Sequence, residues 1–141
     1  MEKIAVVGAG QMGNGIAQVA AQAGLEVVLV DVNQELADKG KQKVAKGLER
    51  LVKKERLSAE ERDTILARIR PTDNMEALGE ADFAVEAATE NIEVKKKIFA
   101  SMDKALKKGA ILATNTSSIS ITLLAAVTER PEKVIGMHFM N

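Results

Sequence analysis

An apolar run at residues 4–7 leads directly into the segment 8–13, in which Gly8, Gly10 and Gly13 follow the spacing G-x-G-x-x-G. Residues 11–23 then carry apolar side chains at helical spacing. Between a strand and a helix, the first glycine allows a tight turn, the second lets the backbone approach a pyrophosphate, and the third lets the helix pack on the strand. This context predicts a phosphate-binding loop that comprises Gly8, Gly10, Gln11, Met12 and Gly13. A glycine turn that binds no ligand is the alternative.

The composition limits the class of protein. A chain of 141 residues with 46% hydrophobic residues is long enough for one buried core, so we expect one domain over residues 1–141. Twenty Lys and Arg balance twenty Asp and Glu, and a chain without net charge is not drawn to nucleic acid or to an anionic membrane. No apolar run approaches the roughly 18 residues of a membrane span. The absence of cysteine excludes disulfides and thiolate metal sites and is compatible with the cytoplasm.

Short apolar runs recur along the chain, separated by sequence that is typical of helices. They lie at residues 4–7, 27–30, 83–85, 111–113 and 134–137, and a weaker strand signal lies around Ile69–Thr72. Continuous apolar runs of this length are typical of strands buried on both faces. Their alternation with helices predicts an α/β fold of the Rossmann type, a doubly wound and mostly parallel sheet with helices on both faces.

Two of the predicted connections are distinctive. Residues 34–70 are too many for one crossover helix, and they predict a helical hairpin inserted after the second strand, with Asn33 as the first N-cap and a capping box that begins at Ser58. Residues 92–108 predict a single helix that ends at Gly109. Its expected apolar stripe includes Val94 and Phe99, with the lysines on the opposite face.

An acidic residue, Asp31, ends the second predicted strand, eighteen positions after Gly13. An acid at this point of a dinucleotide fold accepts hydrogen bonds from the ribose hydroxyls of adenosine. It repels a 2′-phosphate, and residues 32–38 contain no arginine that could receive one. The sequence therefore predicts NAD rather than NADP; an exposed aspartate without a ligand is the alternative.

Polar residues follow the later apolar runs, where ligands bind in open α/β sheets. They include Ser117 after the fifth strand, and His138, which is the only histidine of the chain, after the sixth. Transfer of a hydride from an alcohol needs a base with a pKa near 7 and a donor that holds the substrate oxygen, and these two residues suit the two roles. The alternatives are a buried structural histidine and hydroxyls that cap a helix. A hydrolase is disfavoured because Ser117 lacks the G-x-S-x-G context, and one histidine without cysteine indicates no metal cluster.

Four segments, residues 4–17, 86–91, 114–118 and 136–141, resemble successive signatures of the (S)-3-hydroxyacyl-CoA dehydrogenases. The resemblance covers the whole chain and implies NAD-dependent interconversion of 3-hydroxybutyryl-CoA and acetoacetyl-CoA, with the chain as the cofactor-binding part. The residue roles that it implies include catalysis by His138, and binding of both substrate and cofactor by Ser117. The expected NAD contacts beyond the glycine loop are Asp31, Glu90, Lys95, Ser117 and Asn141.

The predicted hairpin is basic. Residues 39–56 contain eight basic residues against only Glu49 and Glu55, a composition suited to the phosphates of CoA. They are Lys39, Lys41, Lys43, Lys46, Arg50, Lys53, Lys54 and Arg56. A solvated helix face is the alternative. The resemblance implies a CoA contact for Lys54, whereas a serine contact of the family is replaced here by Gly47.

The resemblance also implies parts that residues 1–141 lack. Family members continue past Asn141 with a glutamate that orients the histidine and with an all-helical domain that completes the substrate pocket and forms a homodimer. Without that glutamate, we expect these 141 residues to bind NAD but to turn over slowly or not at all. A stand-alone NAD-binding or sensing module is the second hypothesis. Another β-hydroxyacid dehydrogenase fits the fold but not the contexts of Ser117 and His138.

Overall fold

The computed structural model describes residues 2–88, 91–115 and 121–137 and contains one six-stranded sheet. The strands are β1 Lys3–Val7, β2 Glu26–Val30, β3 Ile69–Thr72, β4 Phe83–Glu86, β5 Ile111–Thr114 and β6 Val134–Gly136. Their spatial order is β3-β2-β1-β4-β5-β6, and every neighbouring pair is parallel. The predicted Rossmann-type fold class is confirmed.

Helices connect the strands, as the alternation in the sequence predicts. They are α1 Gln11–Gln22, α2 Gln34–Lys53, α3 Ala59–Ala67, α4 Ile92–Ala105 and α5 Ile121–Ala125. Two short 3₁₀ helices, Met75–Glu80 and Pro131–Lys133, were not predicted. Within the described ranges, no helix is long and apolar enough to cross a membrane.

The two faces of the sheet form two separate cores, because successive residues of a strand point to opposite faces. In β1, Val6 packs in the core that contains Ala17 of α1 and Leu48 of α2. Its neighbour Val7 packs in the core that contains Phe99 of α4. Burial on both sides explains why the strands read as unbroken apolar runs.

The helical hairpin after β2 consists of α2 and α3, and its predicted caps are both present. The Asn33 side chain accepts a hydrogen bond from the N–H of Leu36 at 2.8 Å. Ser58 and Glu61 form a reciprocal capping box, with both hydrogen bonds 3.0 Å long. These caps satisfy N–H groups that the first turn of each helix leaves without a partner.

Strand β3 lies at an edge of the sheet and contains Pro71, which is paired in register with Leu29. Proline has no N–H to donate, so a strand that pairs on one side only is the place where a sheet tolerates it. The weak strand signal of this segment reflects the proline, and the strand nevertheless forms at the predicted residues.

Helix α4 differs from its prediction in length and in its buried face. It ends at Ala105, before the predicted end at residue 108. Val94 is 44% exposed, whereas Lys95, which was expected on the polar face, is only 1% exposed. Lys95 lies one helical turn before Phe99 on the same face, and its burial is explained by its partner at the carboxyl edge of the sheet.

Candidate cofactor site

The winding of the chain reverses between β1 and β4, which are neighbours in the sheet. In open parallel sheets, this reversal creates a crevice outside the carboxyl ends of the strands. Backbone hydrogen bonds hold these ends in place. The N–H of Ala87 donates to the Val7 carbonyl oxygen, and the N–H of Asn115 donates to the Glu86 carbonyl oxygen, both at 2.8 Å. The glycine loop after β1, Ala87 after β4 and Asn115 after β5 therefore lie at the edge of the sheet that borders the crevice.

The glycine loop after β1 leaves no room for side chains at two positions and open space at a third. Gly8 has a φ of 108°, and a Cβ there would lie 2.8 Å from the Cα of Ala88. A Cβ at Gly13 would overlap the carbonyl oxygen of Gly8. A Cβ at Gly10, in contrast, would meet no atom of the chain within 4 Å. The backbone at Gly10 thus faces space that a pyrophosphate can enter, and the residues present fit a dinucleotide.

The start of α1 suits an anion. Gly10 is the N-cap and offers no side-chain cap, and the first turn contains no acidic residue. The helix dipole and the N–H groups of the first turn favour negative charge at this end. Gln11 is exposed and Met12 is half-buried, so both lie where the loop opens. Their contacts with the cofactor stay a prediction.

Asp31 follows β2 and is bonded to the glycine loop. Its Oδ2 accepts a hydrogen bond from the N–H of Ala9 at 2.9 Å, and its Oδ1 accepts one from the N–H of Val32 at 2.7 Å. The carboxylate is therefore held at the carboxyl end of β2, beside the loop that faces the pyrophosphate space. This is the position in which an acid binds the ribose of adenosine.

A buried polar cluster at the ends of β4 and β5 was missed by the sequence reasoning. Glu86 and Thr114 are completely buried, and Lys95 is 1% exposed. Oε1 of Glu86 accepts hydrogen bonds from Lys95 Nζ at 2.5 Å and from Thr114 Oγ1 at 2.8 Å. Oε2 of Glu86 accepts one from the N–H of Ala88 at 2.7 Å.

The sequence contains a signal that could have revealed this cluster. Glu86 directly follows the apolar run of β4, and Lys95 lies at helical spacing from Phe99 and Met102. A charged residue in the register of buried residues needs a partner of opposite charge. An acid and a base that both occupy such positions are therefore candidates for a buried ion pair. Whether Lys95 also contacts NAD stays a prediction.

Four predicted site residues lie outside the described residues: Glu90, Ser117, His138 and Asn141. The structure does place the chain that leads towards two of them. Asn115 lies at the carboxyl end of β5. After β6, the N–H of Met137 donates to the Thr114 carbonyl oxygen at 2.9 Å.

A groove of about 410 Å³ lies between α1 and α2. It is lined by Gln11, Asn14, Gly15, Gln18, Lys43, Lys46, Gly47 and Arg50. Three of the eight basic hairpin residues, Lys43, Lys46 and Arg50, thus face the helix that carries the glycine loop. Lys54 is exposed at the C-cap of α2. The structure brings part of the basic segment, though not all of it, to one concave surface.

A family model described as the NAD-binding domain of 3-hydroxyacyl-CoA dehydrogenase matches residues 3–141. The chain is 48% identical over 141 residues to a 3-hydroxybutyryl-CoA dehydrogenase of Bradyrhizobium diazoefficiens, covering 100% of this chain and 48% of that protein. It is 41% identical over 141 residues to a 3-hydroxyadipyl-CoA dehydrogenase of Escherichia coli, covering 100% of this chain and 30% of that protein.

The fold is also similar to solved structures. An (S)-3-hydroxybutyryl-CoA dehydrogenase from Ralstonia eutropha matches with a TM-score of 0.97 and 48% sequence identity, covering 100% of this chain and 50% of that chain. The chain therefore spans about half the length of this protein and of the Bradyrhizobium relative.

Proposed function

The chain belongs to the 3-hydroxyacyl-CoA dehydrogenase family as its NAD-binding domain, and on this premise we propose that the protein interconverts (S)-3-hydroxybutyryl-CoA and acetoacetyl-CoA. The observation that carries the proposal is the Asp31 carboxylate, bonded at 2.9 Å to the glycine loop of a Rossmann-type sheet. The names of the Bradyrhizobium and Ralstonia relatives support a four-carbon acyl group.

The glycine loop and Asp31 would hold the cofactor. When bound, NAD supplies the acceptor for the hydride that leaves the alcohol carbon. The open backbone at Gly10 and the start of α1 receive the pyrophosphate. The Asp31 carboxylate accepts hydrogen bonds from the ribose hydroxyls of adenosine and repels a 2′-phosphate, which favours NAD over NADP.

His138 and Ser117 would carry the acid–base chemistry. In the oxidative direction His138 takes the proton of the substrate hydroxyl, and in the reductive direction it returns that proton to the forming alcohol. Ser117 donates a hydrogen bond to the same oxygen. The described residues that precede Ser117 and His138 support these roles. Asn115 and Met137 are hydrogen-bonded at the carboxyl edge of the sheet, where the cofactor is proposed to bind.

Three further residues, Glu90, Lys95 and Asn141, would contact the nicotinamide half of NAD. The family resemblance supports these contacts. For Lys95 the structure adds a constraint: its ammonium group is bonded to Glu86. Lys95 would therefore affect the cofactor through the position of α4 as well as through a direct contact.

The basic hairpin would bind the phosphates of CoA. Lys43, Lys46 and Arg50 concentrate positive charge in the groove beside α1, and hydrogen bonds from cationic groups to phosphate are among the stronger ones in proteins. Lys54, exposed at the end of α2, extends this surface.

A homodimer and a cytoplasmic location complete the proposal. The first is supported by the family resemblance and the second by the sequence without cysteine. Sedimentation of the whole protein and fractionation of cells test them, and a monomer or a secreted protein contradicts them.

The function is tested by mixing the whole protein with NADH and acetoacetyl-CoA and following the absorbance of the reduced nicotinamide. We expect turnover that His138→Gln abolishes while the affinity for NAD is retained. Glu132→Gln, an exposed change just before β6, is the matched control and leaves turnover unchanged. Lack of turnover in the unaltered protein contradicts the function, and full turnover by His138→Gln contradicts the role of the histidine.

A further inference from the structure

We propose that Glu86 is a positioning residue for the nicotinamide half of the cofactor site, an inference that rests on the proposed binding of NAD at the carboxyl edge of the sheet. Glu86 ends β4 at that edge, and its side chain is completely buried. Buried in this way, the carboxylate touches neither cofactor nor substrate. It acts through the backbone and side chains that it holds.

The three hydrogen-bond donors to Glu86 come from three different parts of the fold. Ala88 belongs to the turn that leaves β4, Lys95 lies near the start of α4, and Thr114 is the last residue of β5. One carboxylate thus ties together the turn after β4, the helix that follows it and the neighbouring strand. Glu86 thereby fixes Ala88 and the start of α4 relative to the end of β5.

Stability alone is a poor explanation for the ion pair. Taking two charges out of water costs free energy that their attraction offsets only with good geometry, and apolar residues of similar volume often stabilise a core as well or better. Phe99 and Met102, on the same face of α4 as Lys95, are already completely buried. What Glu86 and Lys95 add to this packing is a defined arrangement of the carboxyl edge.

The position in the sheet indicates which half of the cofactor is affected. Asp31 at the end of β2 marks the adenosine side, and the glycine loop between β1 and α1 marks the pyrophosphate. A dinucleotide spans the crevice at the point where the strand order reverses, so its other half extends over the ends of β4 and β5. Those are the strands that end in Glu86 and Thr114.

Two substitutions separate positioning from general stability. Glu86→Gln keeps the shape of the side chain but removes its charge, which leaves Lys95 without its ionic partner. Thr114→Val removes one hydrogen bond to Glu86 and keeps the ion pair, so it tests the cluster even where Glu86→Gln does not fold. Glu80→Gln is the matched control, because it breaks the exposed pair of Glu80 with Lys3, away from the carboxyl edge.

The readout is the ratio of the affinities for NAD and for ADP, measured by titration of folded protein. ADP contains the adenosine and the pyrophosphate but lacks the nicotinamide riboside. We expect Glu86→Gln to weaken NAD binding about tenfold, because the turn after β4 and the start of α4 lose the charged group that holds them in place. Thr114→Val has a smaller effect of the same sign. ADP affinity stays within about twofold of the parent for both, and the control changes neither affinity.

A loss of overall stability would weaken both ligands together and leave the ratio unchanged. An unchanged ratio in folded Glu86→Gln, or in Thr114→Val where the first variant does not fold, overturns the positioning role. Failure of the unaltered protein to bind NAD contradicts the proposed function instead. Titration of the variants tests the positioning role, and titration of the unaltered protein tests the proposed function. The two failures are therefore distinguished.

Discussion

The carboxylate of Asp31 accepts a hydrogen bond from the N–H of Ala9, with 2.9 Å between Oδ2 and the nitrogen. This bond joins the end of β2 to the middle of the glycine loop. The acid proposed to select the ribose therefore also holds the backbone of the glycine loop, the proposed site of the pyrophosphate. Substitutions of Asp31 are expected to change both the binding of the ribose and the position of the glycine loop. A pair of variants separates these two effects.

Asp31→Ala removes the acceptor for the ribose and the acceptor for the Ala9 N–H. We expect NAD affinity to fall roughly tenfold, as for loss of a hydrogen bond to a charged group, and the preference over NADP to disappear. Asp31→Asn keeps an oxygen for Ala9 but loses the charge, so it relaxes the preference with less loss of NAD affinity. Titration of both variants with both cofactors tests this. An NAD to NADP ratio equal to that of the parent contradicts the assignment of Asp31.

Two glycines of α2 are expected to respond in opposite ways to alanine. A Cβ at Gly40 would lie 2.6 Å from the Cβ of Ala9 and 2.9 Å from its carbonyl oxygen, so Gly40→Ala pushes against the glycine loop. Overpacking of this kind costs about 1–3 kcal/mol of unfolding free energy, and we expect weaker NAD binding as well.

Gly47→Ala is the matched control within the same helix. A Cβ there would meet only the end of the flexible Gln18 side chain, at 2.9 Å from Oε1. Alanine favours a helix interior over glycine by roughly 0.8–1 kcal/mol, so Gly47→Ala leaves stability unchanged or raises it. Urea denaturation measures both variants. Equal losses of stability at the two positions contradict the close packing of α2 on the loop.

Arg130 joins the segment before β6 to the end of α4. Its Nε donates to Asp103 Oδ1 at 2.7 Å, and the two side chains are 14% and 10% exposed. The guanidinium group also donates to backbone carbonyl oxygens, those of Asp103, Leu106, Lys107 and Ala110.

Arg130→Ala leaves the Asp103 carboxylate without its ionic partner, and we expect a loss of about 3 kcal/mol of unfolding free energy, as for a largely buried pair that is broken. Arg130→Lys keeps a charge but cannot reach the carbonyl oxygens together, so its loss is smaller. Unfolding in urea tests both variants. A loss of unfolding free energy below about 1 kcal/mol for Arg130→Ala, the level of an exposed pair, contradicts the expected contribution of the pair with Asp103.

Much of the fold could be predicted because its signals are local. Strands buried on both faces need unbroken apolar runs, and the caps at Asn33 and Ser58 are formed by residues within three positions of each other. The place of Asp31 follows from its distance to the glycine loop along the chain. These features depend on neighbouring residues, which a sequence displays directly.

The parts that were not predicted depend on contacts between distant residues. Lys95 shares a helical face with the buried Phe99 and Met102, but its charge favours the polar face unless its partner Glu86, which belongs to another element, is recognised. Arg130 reaches Asp103 across 27 positions. Three of the eight basic residues line the groove beside α1, because the packing of α1 against α2 decides which side chains face it. No local pattern distinguishes those three from the rest.

The groove between α1 and α2 provides a test of CoA binding by charge reversal. Arg50→Glu places a negative charge beside Lys43 and Lys46, and we expect the KM for the acyl-CoA to rise several-fold with little change in the KM for NADH. The matched control is Lys39→Glu, on the same helix but paired with Glu35 at 3.3 Å and outside the groove. Steady-state kinetics of the whole protein test this at low and high salt. Equal effects of the two reversals favour a solvated helix face without a ligand.

Asp82 gives the unfolding free energy a dependence on pH in the acid range. The ammonium group of Lys107 donates to its Oδ1 at 2.6 Å, and the N–H groups of Glu2 and Lys3 donate to its Oδ2. These bonds, that of Lys107 first, hold the pKa of Asp82 well below its ordinary value. Because the pKa is lower in the folded state, the stabilisation is complete above the unfolded pKa of about 4 and is lost as the pH falls towards the folded pKa.

Asp82→Asn tests this sign directly. At neutral pH we expect the variant to be less stable than the parent, and the difference to shrink as the pH falls below about 4, where the unfolded parent gains the proton that the folded parent resists. Asp73→Asn, at an exposed aspartate before the 3₁₀ helix Met75–Glu80, is the matched control, because it removes one carboxylate and leaves the hydrogen bonds to Asp82 in place. Urea denaturation across the acid range measures the difference. A gap between parent and Asp82→Asn that stays constant from neutral to acid pH contradicts the lowered pKa of Asp82.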